Sequence, residues 1–114
     1  MSETESNVTP LPLTRARATE LVREIERAGR WSIVIQKELA PGYKWLVNMR
    51  QIDLCLKEGW ILDDHAKLDE KGNWRFDIGR VCAGVDVVIT VAVERTASDP
   101  RLFVLAIRGD VIPL

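Results

Sequence analysis

The sequence is poor in the residues that usually build metal centres and nucleophilic active sites. It has one histidine and two cysteines, and Cys55 and Cys82 form neither a CxxC pair nor a zinc-ligand spacing. No serine or cysteine lies in a nucleophile motif, and the chain has no glycine-rich phosphate loop. We therefore predict no metal, no cofactor and no hydrolase triad. The two cysteines are expected to be free, buried thiols, as in a reducing cytosol.

The chain also lacks an excess of one charge and a long apolar run. Sixteen lysines and arginines are balanced by seventeen aspartates and glutamates, and the formal net charge is -1. No global positive field therefore favours a nucleic acid or an anionic membrane, although a local basic groove is compatible with this balance. The longest apolar stretch, residues 85–93, is interrupted by Asp86 and Thr90. It is far shorter than the ~20 residues that a membrane helix needs.

The length of 114 residues fits one packed domain. Residues 1–12 are rich in Ser, Thr, Glu and Pro, and they are predicted to form a flexible leader without a secretory signal. Residues 13–114 are predicted to form a single α+β domain. We expect the protein to be cytoplasmic and to have no contact with a membrane.

Two segments have the apolar spacing of amphipathic helices. In the first, apolar residues recur at intervals of three and four between Thr14, a candidate N-cap, and Gly29, which suits a left-handed C-cap. The second begins at Asn48 with a capping-box-like pattern and ends before Gly59. Between them, "WSIVIQ" at residues 31–36 is rich in β-branched residues and predicts a strand.

The second half of the chain alternates with the two-residue period of strands. In "WRFDIGR", Trp74, Phe76 and Ile78 are predicted to point one way, and Arg75 and Asp77 the other way. The run "VDVVITVAVE" has valine or isoleucine at every second position, which is typical of a central strand. The segments "WIL" and "LFVLAIR" predict two more strands. We therefore expect two N-terminal helices packed on one face of a mainly antiparallel twisted sheet.

Basic side chains near "NWRFDIGR" are the first candidate site. Arg75 and Arg80 are expected on the outward face or flanks of this strand, with Lys71 and Lys67 before them. Guanidinium groups held on a rigid strand suit phosphate binding and stabilise charge that develops on a phosphorane. The alternative is that Arg75 and Asp77 pair with charges on neighbouring strands, which contributes less than about 1 kcal/mol at an exposed position.

The only histidine, His65, lies in the acidic segment "ILDDHAKLDE". It is a candidate general acid/base, because its unperturbed pKa is near ~6.5. A solvated loop is the favoured alternative, since adjacent residues seldom face one another and loops run over the surface. The same segment offers oxygen and imidazole ligands, but it lacks the glycine placement and ligand order of a calcium loop. The alternative ligand set is Asp63, Asp64, His65, Asp69 and Glu70.

Aromatic and basic residues also follow the "APG" turn at residues 40–42. Tyr43, Lys44 and Trp45 could stack on and neutralise single-stranded nucleic acid. Trp45 is equally well placed to enter the core, and that interpretation is preferred for it.

The segment from "NMRQIDLCLKEGW" through "GNWRFDI", an "AG" turn and the valine-rich strand resembles a small bacterial family of uncharacterised domains related to RelE-type toxins. The resemblance covers roughly residues 33–108. It implies a RelE-like, microbial-ribonuclease-like fold. It also implies an enzyme that cleaves RNA without a metal, by attack of the RNA's own 2′-hydroxyl. On this resemblance, Arg75 and Arg80 would stabilise the phosphate, with Lys71 beside them.

Members of that family carry a histidine after the first strand, where this chain has "IQKELAPGYKW". Lys37, Tyr43 or Lys44 would have to substitute for it. Two hypotheses follow. In the first, the protein is a toxin-type endoribonuclease with Arg75, Arg80 and either His65 or Tyr43 in catalysis, and its RNA is bound by Lys44, Lys67 and Lys71. In the second, it is a non-catalytic module that binds an antitoxin-like or other protein, or forms a homodimer, through the edge of its final hairpin or through helix one.

Overall fold

The computed structural model describes residues 13–35, 49–82 and 84–111. Within these residues the chain forms two helices and one sheet of six strands, so the predicted α+β class is confirmed. The elements are α1 (Arg15–Ala28), β1 (Trp31–Ile33), α2 (Met49–Glu58), β2 (Trp60–Ile61), β3 (Lys67–Leu68), β4 (Trp74–Cys82), β5 (Val85–Val93) and β6 (Leu102–Val111). The predicted leader, residues 1–12, lies outside the described residues.

The sheet is mostly antiparallel, as predicted. The strand order is β1-β6-β5-β4-β2, and β3 also pairs with β4. Of the strands in residues 13–35, 49–82 and 84–111, only β1 is parallel to its neighbour, which is β6 over Leu102 to Val104. The edge of the final hairpin is therefore partly covered by β1, which the sequence did not predict. Strand β5 is central, in agreement with its valine-rich alternation.

Helix α1 begins and ends where its caps were predicted. The Thr14 hydroxyl accepts a hydrogen bond from the Arg17 backbone N–H at 3.3 Å. At the other end, Gly29 takes the left-handed conformation with φ of 68° and donates its N–H to the Glu26 carbonyl at 3.0 Å. A residue without a side chain adopts this conformation without strain, so the glycine stops the helix.

Helix α2 ends at Gly59 for a different reason. A Cβ at this position would lie 2.5 Å from the Cys55 carbonyl oxygen and 2.7 Å from a methyl carbon of Ile78. The glycine therefore allows the end of α2 to lie directly against β4. The predicted helix start, Asn48, lies outside the described residues.

Side chains on the two faces of the sheet have different surroundings. On the core face, alternate residues of β4 and β5, such as Phe76, Ile78 and Ile89, form one cluster with buried residues of both helices, such as Val22 and Ile52. Every second residue points the other way, to what we call the outer face. It consists of Arg75, Asp77, Gly79 and Val81 in β4, Asp86, Val88, Thr90 and Ala92 in β5, and Phe103, Ala106, Arg108 and Asp110 in β6.

Two features of the sheet were not predicted. Strand β3 is a two-residue segment inside the acidic stretch, too short to show a period of two. Strand β6 continues beyond the predicted "LFVLAIR", because Gly109 and Asp110 still pair with β5 although both residue types are rare in strands. A bulge between Thr90 and Val91 places Leu105 as an extra residue in β6.

None of the helices in the described part of the chain combines the length and the apolar character that crossing a membrane requires.

Arg23 connects the two helices. Its Nη1 donates to the Leu56 carbonyl and its Nη2 to the Gly59 carbonyl, both at 2.7 Å. These carbonyls belong to the last turn of α2, where backbone acceptors lack partners within the helix and the macrodipole favours a cation. Partial burial lowers the pKa of Arg23, with Glu58 acting in the opposite direction.

We expect Arg23→Met to lower the free energy of unfolding by about 2 kcal/mol, because it leaves two carbonyls without their charged donor. Urea denaturation measures the change. The matched control is Arg27→Met, an exposed position in the last turn of the same helix. Equal losses in both variants would show that the two hydrogen bonds to α2 add nothing to stability.

Candidate functional site

A cleft of about 610 Å³ lies on the outer face. It is formed where the turn between β3 and β4 meets the ends of β5 and β6 and the residue after β1. Its lining combines two cations, two carboxylates, an amide and a group of apolar side chains. The lining residues are Val34, Leu68, Asp69, Glu70, Lys71, Asn73, Arg75, Ala92, Phe103 and Leu105.

The turn between β3 and β4 is held by Asp69. One of its carboxylate oxygens, Oδ1, accepts hydrogen bonds from the backbone N–H groups of Lys71 and Asn73, both at 2.9 Å. Gly72 completes the turn with φ of 79° and donates its N–H to the Asp69 carbonyl. Such a side-chain-to-backbone turn places Lys71 and Asn73 at the cleft without relying on packing.

Arg75 is the cation that the sheet itself presents to the cleft. Its Nη2 lies 3.9 Å from Asp69 Oδ2, which is an ion pair but exceeds hydrogen-bond length. Its Nε is buried and has no hydrogen-bond partner among the described residues. Buried donors without partners are uncommon in folded proteins and cost about 1–3 kcal/mol, so each one requires a reason. The strand fixes the backbone of Arg75, and its guanidinium has donors that no described residue accepts.

Arg80 does not accompany Arg75. The two residues are five positions apart in a strand that stays regular from Trp74 to Cys82, so their side chains leave opposite faces. Arg80 Nη2 lies 2.7 Å from a carboxylate oxygen of Glu58 in α2, and its Nη1 lies 3.5 Å from Cys82 Sγ. The expectation that Arg75 and Arg80 present one phosphate site together is therefore wrong.

The thiol of Cys55 is a poor nucleophile. Cys55 and Cys82 are free and buried, as predicted. Burial, followed by the neighbouring Cys82, raises the pKa of Cys55 to about 12, and Arg80 acts weakly in the opposite direction. Because the thiolate is the reactive form, Cys55 is suited to packing and not to covalent catalysis.

His65 does not line the cleft. It is exposed and forms a bridge with Thr14 at the start of α1, and it does not belong to the cleft lining. Its neighbours are engaged elsewhere, since Asp64 pairs with Arg15 at 2.9 Å and Asp63 accepts the backbone N–H of Asp77. The described residues contain no group of three or more potential ligands that could hold a metal ion. The alternative ligand set around His65 is therefore not assembled.

The remaining predicted site residues differ in their positions. Lys71 lines the cleft. Lys67 lies opposite Arg75 in the pairing of β3 with β4 but does not line the cleft. Tyr43 and Lys44 lie outside the described residues, as does Lys37. The structure adds three cleft residues that the sequence analysis did not single out as site residues for RNA: Glu70, Asn73 and Phe103. The two-residue alternation in "LFVLAIR" puts Phe103 on the opposite face from Leu102 and Val104. In the sheet this is the outer face, to which Arg75 also belongs.

Asp77 takes the role that the alternative interpretation gave it. It accepts a hydrogen bond from the Thr90 hydroxyl at 2.7 Å, and Arg108 Nη2 lies 3.5 Å from its other oxygen. These contacts link β4, β5 and β6 across the middle of the outer face. Asp77 therefore pairs across strands, whereas the contact of Arg75 with charged groups in the described part of the chain is the longer one to Asp69.

No protein-family model, no curated protein and no solved structure matches this chain.

Cys55 predicts a loss of stability at alkaline pH. Its folded-state pKa of about 12 lies above the ordinary value of 9.0. The neutral thiol therefore contributes its full stability below pH 9.0, and this stability is lost as pH rises toward 12, by at most about 1.4 kcal/mol per pH unit. Urea denaturation between pH 8 and 11 should show a shallower pH dependence for Cys55→Ala than for the wild type. Identical slopes in the two proteins would contradict this role.

Proposed function

We propose that the outer-face cleft binds a phosphate of single-stranded RNA, and that the protein is a metal-independent endoribonuclease with a RelE-like arrangement, both helices lying behind the sheet. The observation that carries the proposal is the Arg75 guanidinium, held in a cleft with donor groups that the described residues leave unused. Guanidinium groups bind phosphate oxygens through paired N–H donors, which matches this unused capacity.

The rest of the cleft suits a nucleotide better than an isolated anion. Lys71 adds a second cation beside Arg75, and the half-buried Phe103 offers a ring on which a base can stack. Asn73 has both a donor and an acceptor for the edge of an unpaired base. A site made of one strand and a fixed turn is also more rigid than a loop site, which favours its use in positioning a substrate.

Cleavage would require a group that takes the proton of the 2′-hydroxyl. His65 does not line the cleft, so the candidate base is Glu70, an exposed residue that lines the same cleft as Arg75. In this mechanism Glu70 takes the proton of the 2′-hydroxyl while the 2′-oxygen attacks the adjacent phosphorus, and Arg75 and Lys71 stabilise the charge on the phosphorane oxygens. The bond from phosphorus to the 5′-oxygen then breaks, and the leaving 5′-oxygen takes a proton from water. The products are a 2′,3′-cyclic phosphate and a 5′-hydroxyl, and no metal takes part.

Electrostatics set the expected strength of binding. Asp69 and Glu70 offset much of the charge of Lys71 and Arg75, in keeping with the overall charge of -1. Two phosphate contacts on a single strand give a salt dependence with a slope of only about -1.4 in log affinity against log salt. We therefore expect modest affinity that depends weakly on salt.

The two arginines of β4 provide a matched pair for testing the site. Arg75→Met should weaken binding of single-stranded RNA by about tenfold or more, because it removes one charged bidentate contact. It should also suppress any RNA cleavage in EDTA. Arg80→Met, on the core face of the same strand, should leave both unchanged. Fluorescence anisotropy and gel analysis of the products measure the two effects. Full binding by Arg75→Met would refute the site.

Asp69→Asn should strengthen RNA binding severalfold. The amide keeps the oxygen that accepts the N–H groups of Lys71 and Asn73, but it removes a negative charge from beside Arg75. Asp64→Asn is the control, since it removes an exposed charge that pairs with Arg15 outside the cleft. The same anisotropy titration applies, and equal affinity in the Asp69 variant and the wild type would speak against phosphate binding at Arg75.

A second candidate function is a non-catalytic module that binds a protein. It is favoured by exposed apolar side chains on the outer face, with 52% of Trp60, 43% of Leu62 and 48% of Val81 accessible. Contiguous apolar patches of this kind often mark interaction sites. In that case the protein forms a stable complex and shows no turnover on any RNA.

A further inference from the structure

The apolar part of the outer face forms one continuous patch. Trp60 lies opposite Gly79 in the pairing of β2 with β4, and Leu62 is the residue directly after β2. A Cβ at Gly79 would lie 3.3 Å from a methyl carbon of Leu62, so the Leu62 side chain covers this glycine. Val81 and Val88 continue the surface on β4 and β5. We call Trp60, Leu62, Val81 and Val88 the apolar patch.

Charges of opposite sign flank this patch along the strand direction. Asp86 and Asp110 are both exposed and lie directly opposite each other in the pairing of β5 with β6. Like charges in such a pair repel, and among the described residues neither carboxylate has an ion pair. At the other end of the same face, Arg75 and Lys71 are the cations at the cleft. Asp69 and Glu70 offset part of the positive charge there, but the buried Arg75 Nε has no acceptor among the described residues, and a carboxylate from the acidic end could accept from this guanidinium.

We propose that a second copy of this chain covers the outer face, in a symmetric dimer whose two-fold axis runs across the strands. Rotation about this axis inverts positions along the strands. The Asp86 and Asp110 end of one copy then lies over the Arg75 end of the other, and Trp60 lies against Leu62 of the second copy. A two-fold axis along the strands would bring Asp86 and Asp110 against their own copies, which like-charge repulsion opposes.

The dimer goes beyond the proposed RNA binding and does not depend on it. An isologous contact uses one self-complementary surface and closes without unpaired ends. Two sheets stacked in this way lie ~10 Å apart, and their side chains interdigitate. Because Leu62 covers Gly79, the opposing Trp60 would pack against the Leu62 side chain at this place. The second copy also covers the cleft at Arg75, so the dimer and a bound RNA exclude each other.

Sedimentation velocity over a range of protein concentrations tests the apolar contact. The wild type should be dimeric at tens of micromolar, and Trp60→Ser or Val81→Ser should weaken the dimer at least about tenfold, as expected for central apolar contacts. Met49→Ser is the matched control, because Met49 is 58% exposed but belongs to α2. Circular dichroism verifies that each variant is folded. A wild type that stays monomeric, or a dimer indifferent to both patch variants, would overturn the proposal.

A charge exchange tests the orientation of the two copies. Asp86→Lys should weaken the dimer, and so should Arg75→Glu, whereas the protein that carries both substitutions should recover most of the wild-type dimer. Asp110→Lys is a second way to reverse the acidic end. Failure of the double variant to recover would reject this arrangement. RNA binding is measured separately at concentrations where the protein is monomeric, so its absence leaves the result for the dimer unaffected.

Discussion

The strict two-residue alternation of β4 and β5 is the constraint on which the rest of the structure depends. Val87, Ile89, Val91 and Val93 are all fully buried on the core face, where they meet the buried side chains of the helices. A slip of one residue in the pairing would move these side chains to the outer face and bury Asp86 and its neighbours, which is too costly to occur. Hydrophobic burial on one face therefore determines which polar groups are presented on the other.

The outer face divides into a satisfied centre and two unsatisfied ends. In the centre, Asp77 is bonded to Thr90 and paired with Arg108, so three strands share one polar contact. At one end the buried Arg75 Nε has no acceptor in the part of the chain that the structure describes, and at the other end Asp86 faces Asp110. On a sheet face that contacts only solvent, we would expect such charged groups to pair with one another. The separation of the charges along the strands is the basis on which we propose a second copy of the chain as their partner.

Much of the fold was predictable because it depends on local signals. The caps Thr14 and Gly29 and the alternation in β4 and β5 were interpreted correctly from neighbouring residues alone. The site was less predictable because it depends on which residues of distant segments meet. The turn held by Asp69 brings Lys71 beside Arg75, and Phe103 comes from a strand that lies two places away in the sheet. For Arg80 the sequence did contain the answer, since five positions along a regular strand reverse the direction of a side chain.

The two ligands proposed for the outer face compete for the same guanidinium. RNA and a second copy would each supply an acceptor for the Arg75 N–H donors that the described residues leave unused, the first as a phosphate and the second as a carboxylate. Because each ligand binds only when the other is absent, the apparent affinity for RNA must fall as the protein concentration rises and dimers accumulate. Under this linkage, dilute protein would be monomeric and able to bind RNA. Protein at high concentration would be dimeric and unable to bind it. The outer face would then provide both the RNA-binding site and the dimer contact that blocks it.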